Sequence, residues 1–179
     1  VAQAYKGMEG RQDEIWYRRA LHAPQKLRIV LKGEWNVEKF DTVTGEILAT
    51  GKMDHKSSFS ITPPTYAEGM VFVALSNGCV QAFNASTLES LWVYNDPLGG
   101  QPNCPLAIRD GYLYTGFWNS ETGDANFVCL SITDEDPDQE KESKAASWYH
   151  TAKGGYYWAG AYVSDDFVLV GTDDGTNYG

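Results

Sequence analysis

One strand–turn–strand unit occurs four times along this chain, and that repetition constrains the fold more than any single residue does. The clearest copy runs Gly69-Met70-Val71-Phe72-Val73, then Ser76-Asn77-Gly78, then Val80-Gln81-Ala82-Phe83-Asn84, and on to Trp92. Asn-Gly between two apolar runs is the strongest short-range hairpin signal, because both residues tolerate positive φ. An earlier copy aligns Lys26-Leu27-Arg28-Ile29-Val30 with the first strand, Val37 with Val80, Phe40 with Phe83, Asp41 with Asn84 and Thr44 with Thr87, without a gap. A later copy aligns Gly111-Tyr112-Leu113-Tyr114-Thr115 with the first strand and Phe127 to Ser131 with the second. It has an enlarged hairpin at 117–126, and Trp148 falls on Trp92 after a longer loop. A fourth copy begins at Asp166, with Phe167 to Val170 as its strand and Gly175 in the place of Gly78.

A repeat of about 40 residues with several strands per unit is the signature of a β-propeller blade. The expected fold is therefore all-β: a propeller of four-stranded antiparallel blades, about four of them, the last truncated. Residues 1–179 are expected to form a single partial propeller, with repeat cores starting near 26, 69, 111 and 166. Strands are expected near 27–31, 36–41, 47–53, 70–75, 79–84, 89–95, 112–117, 126–132, 146–150 and 167–172. One blade cannot bury both of its faces, so blades stack, and Phe40, Phe83 and Leu130, at one repeat position, are expected between them. The fourth copy stops just before that position. The chain is thus expected to be a fragment; the alternative is a ring completed by another segment or chain.

Composition narrows the function. Hydrophobic residues make up 42% of the chain, too many for wholesale disorder. A net charge of −10 repels phosphate backbones, which argues against a nucleic-acid partner. No apolar run is long enough to span a membrane, and no signal peptide is visible in a chain that begins with Val1. Cys79, Cys104 and Cys129 lack zinc or C-x-x-C spacing and are expected to be small buried hydrophobes.

The repeats resemble the pyrroloquinoline-quinone-type (PQQ-like) repeat of the quinoprotein alcohol dehydrogenase-like superfamily. Gly171-Thr172-Asp173-Asp174-Gly175 is similar to the family hairpin, Phe40-Asp41 with Thr44-Gly45-Glu46 to its third-strand turn, and Trp92 to its Trp. The match is degenerate: Ala49 stands where a Trp belongs in the first copy, and Leu88 replaces Gly in the second. The resemblance implies an extracytoplasmic, secreted, periplasmic or cell-surface bacterial protein. It implies either a scaffold, as in outer-membrane assembly lipoproteins of this fold, or a PQQ- and calcium-dependent dehydrogenase. The family's adjacent cysteines do not occur here, and no carboxylate can be matched to its catalytic positions.

No catalytic residue, metal ligand or cofactor is assigned, with PQQ and calcium entering only under the dehydrogenase alternative. His22, His55 and His150 are scattered, and no G-x-S-x-G motif accompanies them. The acidic run Asp134 to Glu140 lacks the spacing of a calcium loop and reads as a solvated loop, with a cation site as the alternative. Asp173-Asp174-Gly175 reads as a turn. The candidate binding residues are Tyr156, Tyr157 and Trp158, which precede the fourth copy, and Gln101 and Asn103 in the equivalent earlier segment. Trp118 and Asn119 at the head of the enlarged hairpin complete the set. Rigid aromatics beside amides suit a sugar ring or a peptide; the same aromatics equally serve as filler between blades. The expected function is a non-catalytic surface that binds or assembles a protein or glycan partner.

Overall fold

The computed structural model describes residues 14–17, 27–32, 36–56, 62–156, 158, 160–175 and 177–179. These residues contain no α-helix and build four successive, mainly antiparallel sheets. The first comprises β1 (Glu14–Tyr17), β2 (Leu27–Lys32), β3 (Asn36–Asp41) and β4 (Ile47–Lys52), in that order. The second repeats it with β5 (Thr65–Ala67), β6 (Met70–Leu75), β7 (Cys79–Asn84) and β8 (Ser90–Asn95). The third holds β9 (Ala107–Arg109), β10 (Tyr112–Gly116) and β11 (Asp124–Ser131). Before it ends in β13 (Trp148–Lys153), the chain makes β12 (Glu142–Lys144), which leaves to pair in parallel with β8. The fourth sheet has three strands, β14 (Tyr162–Val163), β15 (Val168–Gly171) and β16 (Asn177–Tyr178). The architecture is a β-propeller of about four blades, the last incomplete.

Alternation along the strands explains the stacking. In β6 and β7, Val71, Val73, Leu75, Cys79 and Phe83 face blade 1 and pack with Val37 and Met53. Phe72, Val80 and Ala82 face the other way, joining Trp92 of blade 2 with Leu113, Val128 and Leu130 of blade 3. A third core joins Cys104, Phe127, Ala152 and Tyr156 with Val170 of blade 4. A period of two in a sheet covered on both faces thus yields one dry core per junction. Phe83 and Leu130 are fully buried, as their repeat position requires, whereas Phe40 is half-buried. All three cysteines are buried, and none forms a disulfide.

The strands begin one or two residues later than the repeat starts. Gly69 and Gly111 are turn residues: Glu68-Gly69 and Asp110-Gly111 have positive φ at both positions and join a short inner strand to the next. Asp166 likewise lies in the turn before β15, and Lys26 lies outside the described residues. The inner strands β5, β9 and β14 have two or three residues each, too few to show alternation in the sequence. β13 covers 148–153 rather than 146–150, because residues 142–144 are drawn onto the outer edge of blade 2.

That excursion changes the reading of the acidic segment. Glu135 to Glu140 are exposed, as a solvated loop should be. The segment then closes on Lys144, which is 7% exposed. Its Nζ donates to Thr133 O and Glu135 Oε1 and lies 5.5 Å from the centre of the Trp92 ring. The fifth strand buries most of β8, while the corresponding strands β4 and β13 are largely exposed.

Turn chemistry recurs just as closely. Asp41 Oδ1 accepts from the amides of Val43 and Thr44, and Asn84 Oδ1 from those of Ser86 and Thr87. The turn then needs a left-handed residue. In blade 1 it is Gly45, φ +77°, and in blade 2 it is Leu88, φ +61°. A left-handed Leu costs about 1–2 kcal/mol of backbone energy. Its side chain, 1% exposed in the core between blades 1 and 2, offsets this by roughly 1.5–3 kcal/mol of burial. The fit needs Gly51, where an added Cβ would lie 2.3 Å from Leu88 O. Gly51→Ala is therefore expected to lower unfolding stability by about 1–3 kcal/mol in urea titrations; a variant as stable as the parent would contradict this packing.

Candidate binding face

In each blade the connection from the outer strand to the next inner strand meets the hairpin between the second and third strands. At least one backbone hydrogen bond welds them at each described junction. Ser76 N donates to Lys56 O at 2.9 Å, Trp118 N to Gln101 O at 3.1 Å, and Asp173 N to Gly155 O at 2.9 Å. Ser76, Trp118 and Asp173 occupy the same repeat position. The connectors also touch one another: Thr62 Oγ1 donates to Pro102 O at 2.5 Å, and a Cβ on Gly160 would sit 3.4 Å from Pro105. All the candidate residues that are described therefore lie in the connectors and hairpins at one end of the propeller, some on its face and some beneath it.

Their environments differ. Gln101 pairs with Trp118 through both backbone groups, and its Oε1 is buried without a partner among the described residues. Trp118 is half-buried, and its Nε1 donates to Asp173 Oδ2 at 3.1 Å, bridging the hairpins of blades 3 and 4. Asn119 is exposed at the rim, where Nδ2 donates to Leu98 O and Asp124 O. Trp158 is 61% exposed and held at φ +63°, a conformation that non-glycine residues rarely adopt. Tyr157 lies outside the described residues.

Two candidates are placed in the packing instead. Tyr156 is fully buried: its N donates to Phe117 O, its hydroxyl meets His150 Nδ1 at 2.8 Å, and Gly116 gives its ring room. Asn103 is 7% exposed, and its amide closes a turn onto Gln101 O. The filler reading fits both, because the connector turns inward at these residues to enter the next blade.

The sequence reading did not single out Asp96. Its carboxylate, 6% exposed, accepts from the Tyr94 hydroxyl, Leu98 N and Asn126 Nδ2, while Thr151 Oγ1 donates to Asn126 Oδ1. A buried carboxylate so satisfied is a peg between blades 2 and 3. Asp96-Pro97 directly after a strand was the available signal. A concavity of about 300 Å³ lies between blades 3 and 4 beside Phe127, Trp148, His150, Val168 and Tyr178. Trp148 is the counterpart of Trp92, since they pair with Cys129 and Ala82 respectively. Trp92 is capped by Ile132 O at 3.2 Å, whereas Trp148 remains 43% exposed.

Among the described residues no group of three or more His, Cys, Asp and Glu side chains is arranged to hold a metal, and no helix is long and apolar enough to cross a membrane. The thiols are poor nucleophiles: burial pushes Cys104 up to about 11 and also raises Cys79 and Cys129. Burial first, then the bond to Asp96, raises the Tyr94 phenol.

No family model matches the chain, and no curated protein does. Solved structures do. The computationally designed Ika4 protein superposes at TM-score 0.60 and 15% identity, over 87% of this chain and 85% of that one. BamB from Moraxella catarrhalis superposes at TM-score 0.52 and 11% identity, covering 86% of this chain. A quinohemoprotein alcohol dehydrogenase from Pseudomonas putida gives TM-score 0.52 and 15% identity over 70% of this chain. The chain spans 57% of the BamB chain and 19% of the dehydrogenase. At these identities the likeness concerns the fold alone, a β-propeller.

Raised thiols and phenols make stability pH-dependent. Each group is neutral in the fold and ionises earlier when unfolded, so its contribution is complete below the unfolded value and fades as pH rises through the folded one. For Cys104 that window runs from 9.0 to about 11. The thermal midpoint is expected to fall steadily between those pH values; a flat profile there would contradict the burial assigned to these groups.

Proposed function

We propose that this chain is a degenerate PQQ-like propeller that acts without catalysis, binding a protein or glycan partner outside the cytoplasm through the connector face. One observation carries the reading. Trp158 presents most of its indole to solvent from a left-handed backbone position, on a connector fixed on one side to the blade 4 hairpin and on the other to Pro105. A large apolar ring held out on a rigid support loses little entropy on binding. Strained backbone positions persist where the surrounding structure over-determines them, and they cluster at binding sites.

Trp118, Gln101 and Asn119 supply the polar setting on the same face. Trp118 is half-buried and held by Asp173, so its position is not adjustable. Rigid aromatics beside amide groups suit sugar rings and peptides. The lack of a carboxylate that can be matched to the family's catalytic positions favours a binding role over a dehydrogenase.

Glycan and peptide arrays probed with the purified chain test the reading. Trp158→Ala is expected to remove the signals of the parent protein while changing its unfolding free energy by no more than about 0.5 kcal/mol, as for other exposed positions. Trp118→Phe, which keeps the ring but loses the bond to Asp173, is expected to weaken them. A parent protein silent on both arrays, or a Trp158→Ala variant that keeps every signal, would contradict it.

A further inference from the structure

The step from the third strand of a blade to its outer strand is short in two blades and long in one. Blade 1 makes it with residues 42–46 and blade 2 with residues 85–89, whereas blade 3 uses residues 132–147. Closing a blade does not need that length. Most of the excess is a strap, residues 133–145, that leaves blade 3, lays β12 in parallel along β8 and returns.

The strap compensates its own buried charge. The Lys144 side chain is 3% exposed; its Nζ donates to Thr133 O at 2.6 Å and Glu135 Oε1 at 3.1 Å, and lies 3.8 Å from Glu142 Oε1. Glu142 Oε2 accepts from the amides of Glu135 and Asp136. The polar ties to the blades beneath are lighter. Among the described residues they are the ladder from Glu142–Lys144 to Trp92–Tyr94, Lys141 N on Ser90 O at 3.2 Å, the Lys141–Asp54 ion pair, and the Lys144 ammonium over Trp92. Parallel pairing is slightly weaker per residue than antiparallel, and a partly exposed ion pair contributes little. Breaking a buried ion pair normally strands one partner at high cost. Lifting this strap strands none, because Lys144 leaves together with Glu135 and Glu142.

Beneath the strap lies an edge. Among the described residues β8 pairs with β7 on one side and with β12 on the other. With the strap lifted, β8 presents a row of unpaired backbone groups beside the Trp92 ring, and such an edge accepts an added strand.

We propose that residues 133–145 are a displaceable strap over a strand-addition site on blade 2, and that an extended, lysine- or arginine-bearing segment of a partner protein takes the place of β12 along β8. Such a segment repeats what the strap does there, a backbone ladder with a cation against the Trp92 ring. A cationic segment also complements a chain of net charge −10. The site lies on an outer strand and does not rest on the role proposed for Trp158.

A fluorescent peptide of alternating Thr and Val with one central Arg tests the proposal by anisotropy, beside the same peptide with a central Glu. The protein is used as the full chain and as a strapless variant, in which the blade 1 turn sequence Val43-Thr44-Gly45-Glu46 replaces residues 133–145. The strapless variant is expected to bind the Arg peptide. The parent, whose tethered strap competes, is expected to bind it roughly 100-fold more weakly. The Glu peptide is expected to bind the strapless variant about fivefold more weakly than the Arg peptide, or less tightly still. Amide exchange on the parent provides a measurement that does not need the variant to fold. The Lys141 amide and those joining β12 to β8 are expected to exchange at least about tenfold faster than those joining β7 to β8. A folded strapless variant that binds no Arg peptide, a parent that binds it as tightly as the variant, a Glu peptide bound as well as the Arg peptide, or strap amides that exchange only with those of β7 would each overturn it.

Discussion

A small sheet with apolar side chains on both faces is stable in water only when something covers each face. Every other feature of this molecule follows from meeting that requirement with copies of the same unit. Three dry cores result, each made of one blade's forward side chains and the next blade's backward ones. Because the cores are built from equivalent positions, local departures are absorbed where they arise. Leu88 in a glycine's place is held by its own burial and by the space at Gly51.

Burial alone does not fix how one blade sits on the next, and here the backbone contributes. The bonds from Ser76, Trp118 and Asp173 tie each connector to its hairpin. The Asp96 peg and the β12 strand add ties between blades 2 and 3. These welds turn a row of loops into a rigid face. The binding role proposed for Trp158 rests on such a face holding its geometry in advance of a ligand.

The middle strands of the first three blades were legible from the sequence. Asn36–Asp41, Met70–Leu75 and Cys79–Asn84 fall where alternation and hairpin signals put them. The inner strands were not, since two or three residues carry no period. Nor was β12, whose partner lies far away in sequence and in another blade. The fold could therefore be read while its seams could not. For the candidate residues, residue type did not give the exposure. Tyr156 and Trp158 look alike in the sequence, yet one is fully buried and the other mostly exposed. The difference is set by the path of the connector, which depends on Gly155 packing at φ +67° against Phe117 O and Ala125. Local composition does not encode that path.

The account rests on junctions that repeat. Amide hydrogen exchange of Ser76, Trp118 and Asp173 examines them directly, because all three lie outside the regular strands. If the welds are as described, these three amides are protected together, at rates close to those of the adjoining strands and far below those of exposed turn amides such as Val43. Exchange of all three at ordinary loop rates would mean that connectors and hairpins are not joined, and the repeated architecture would lose its basis.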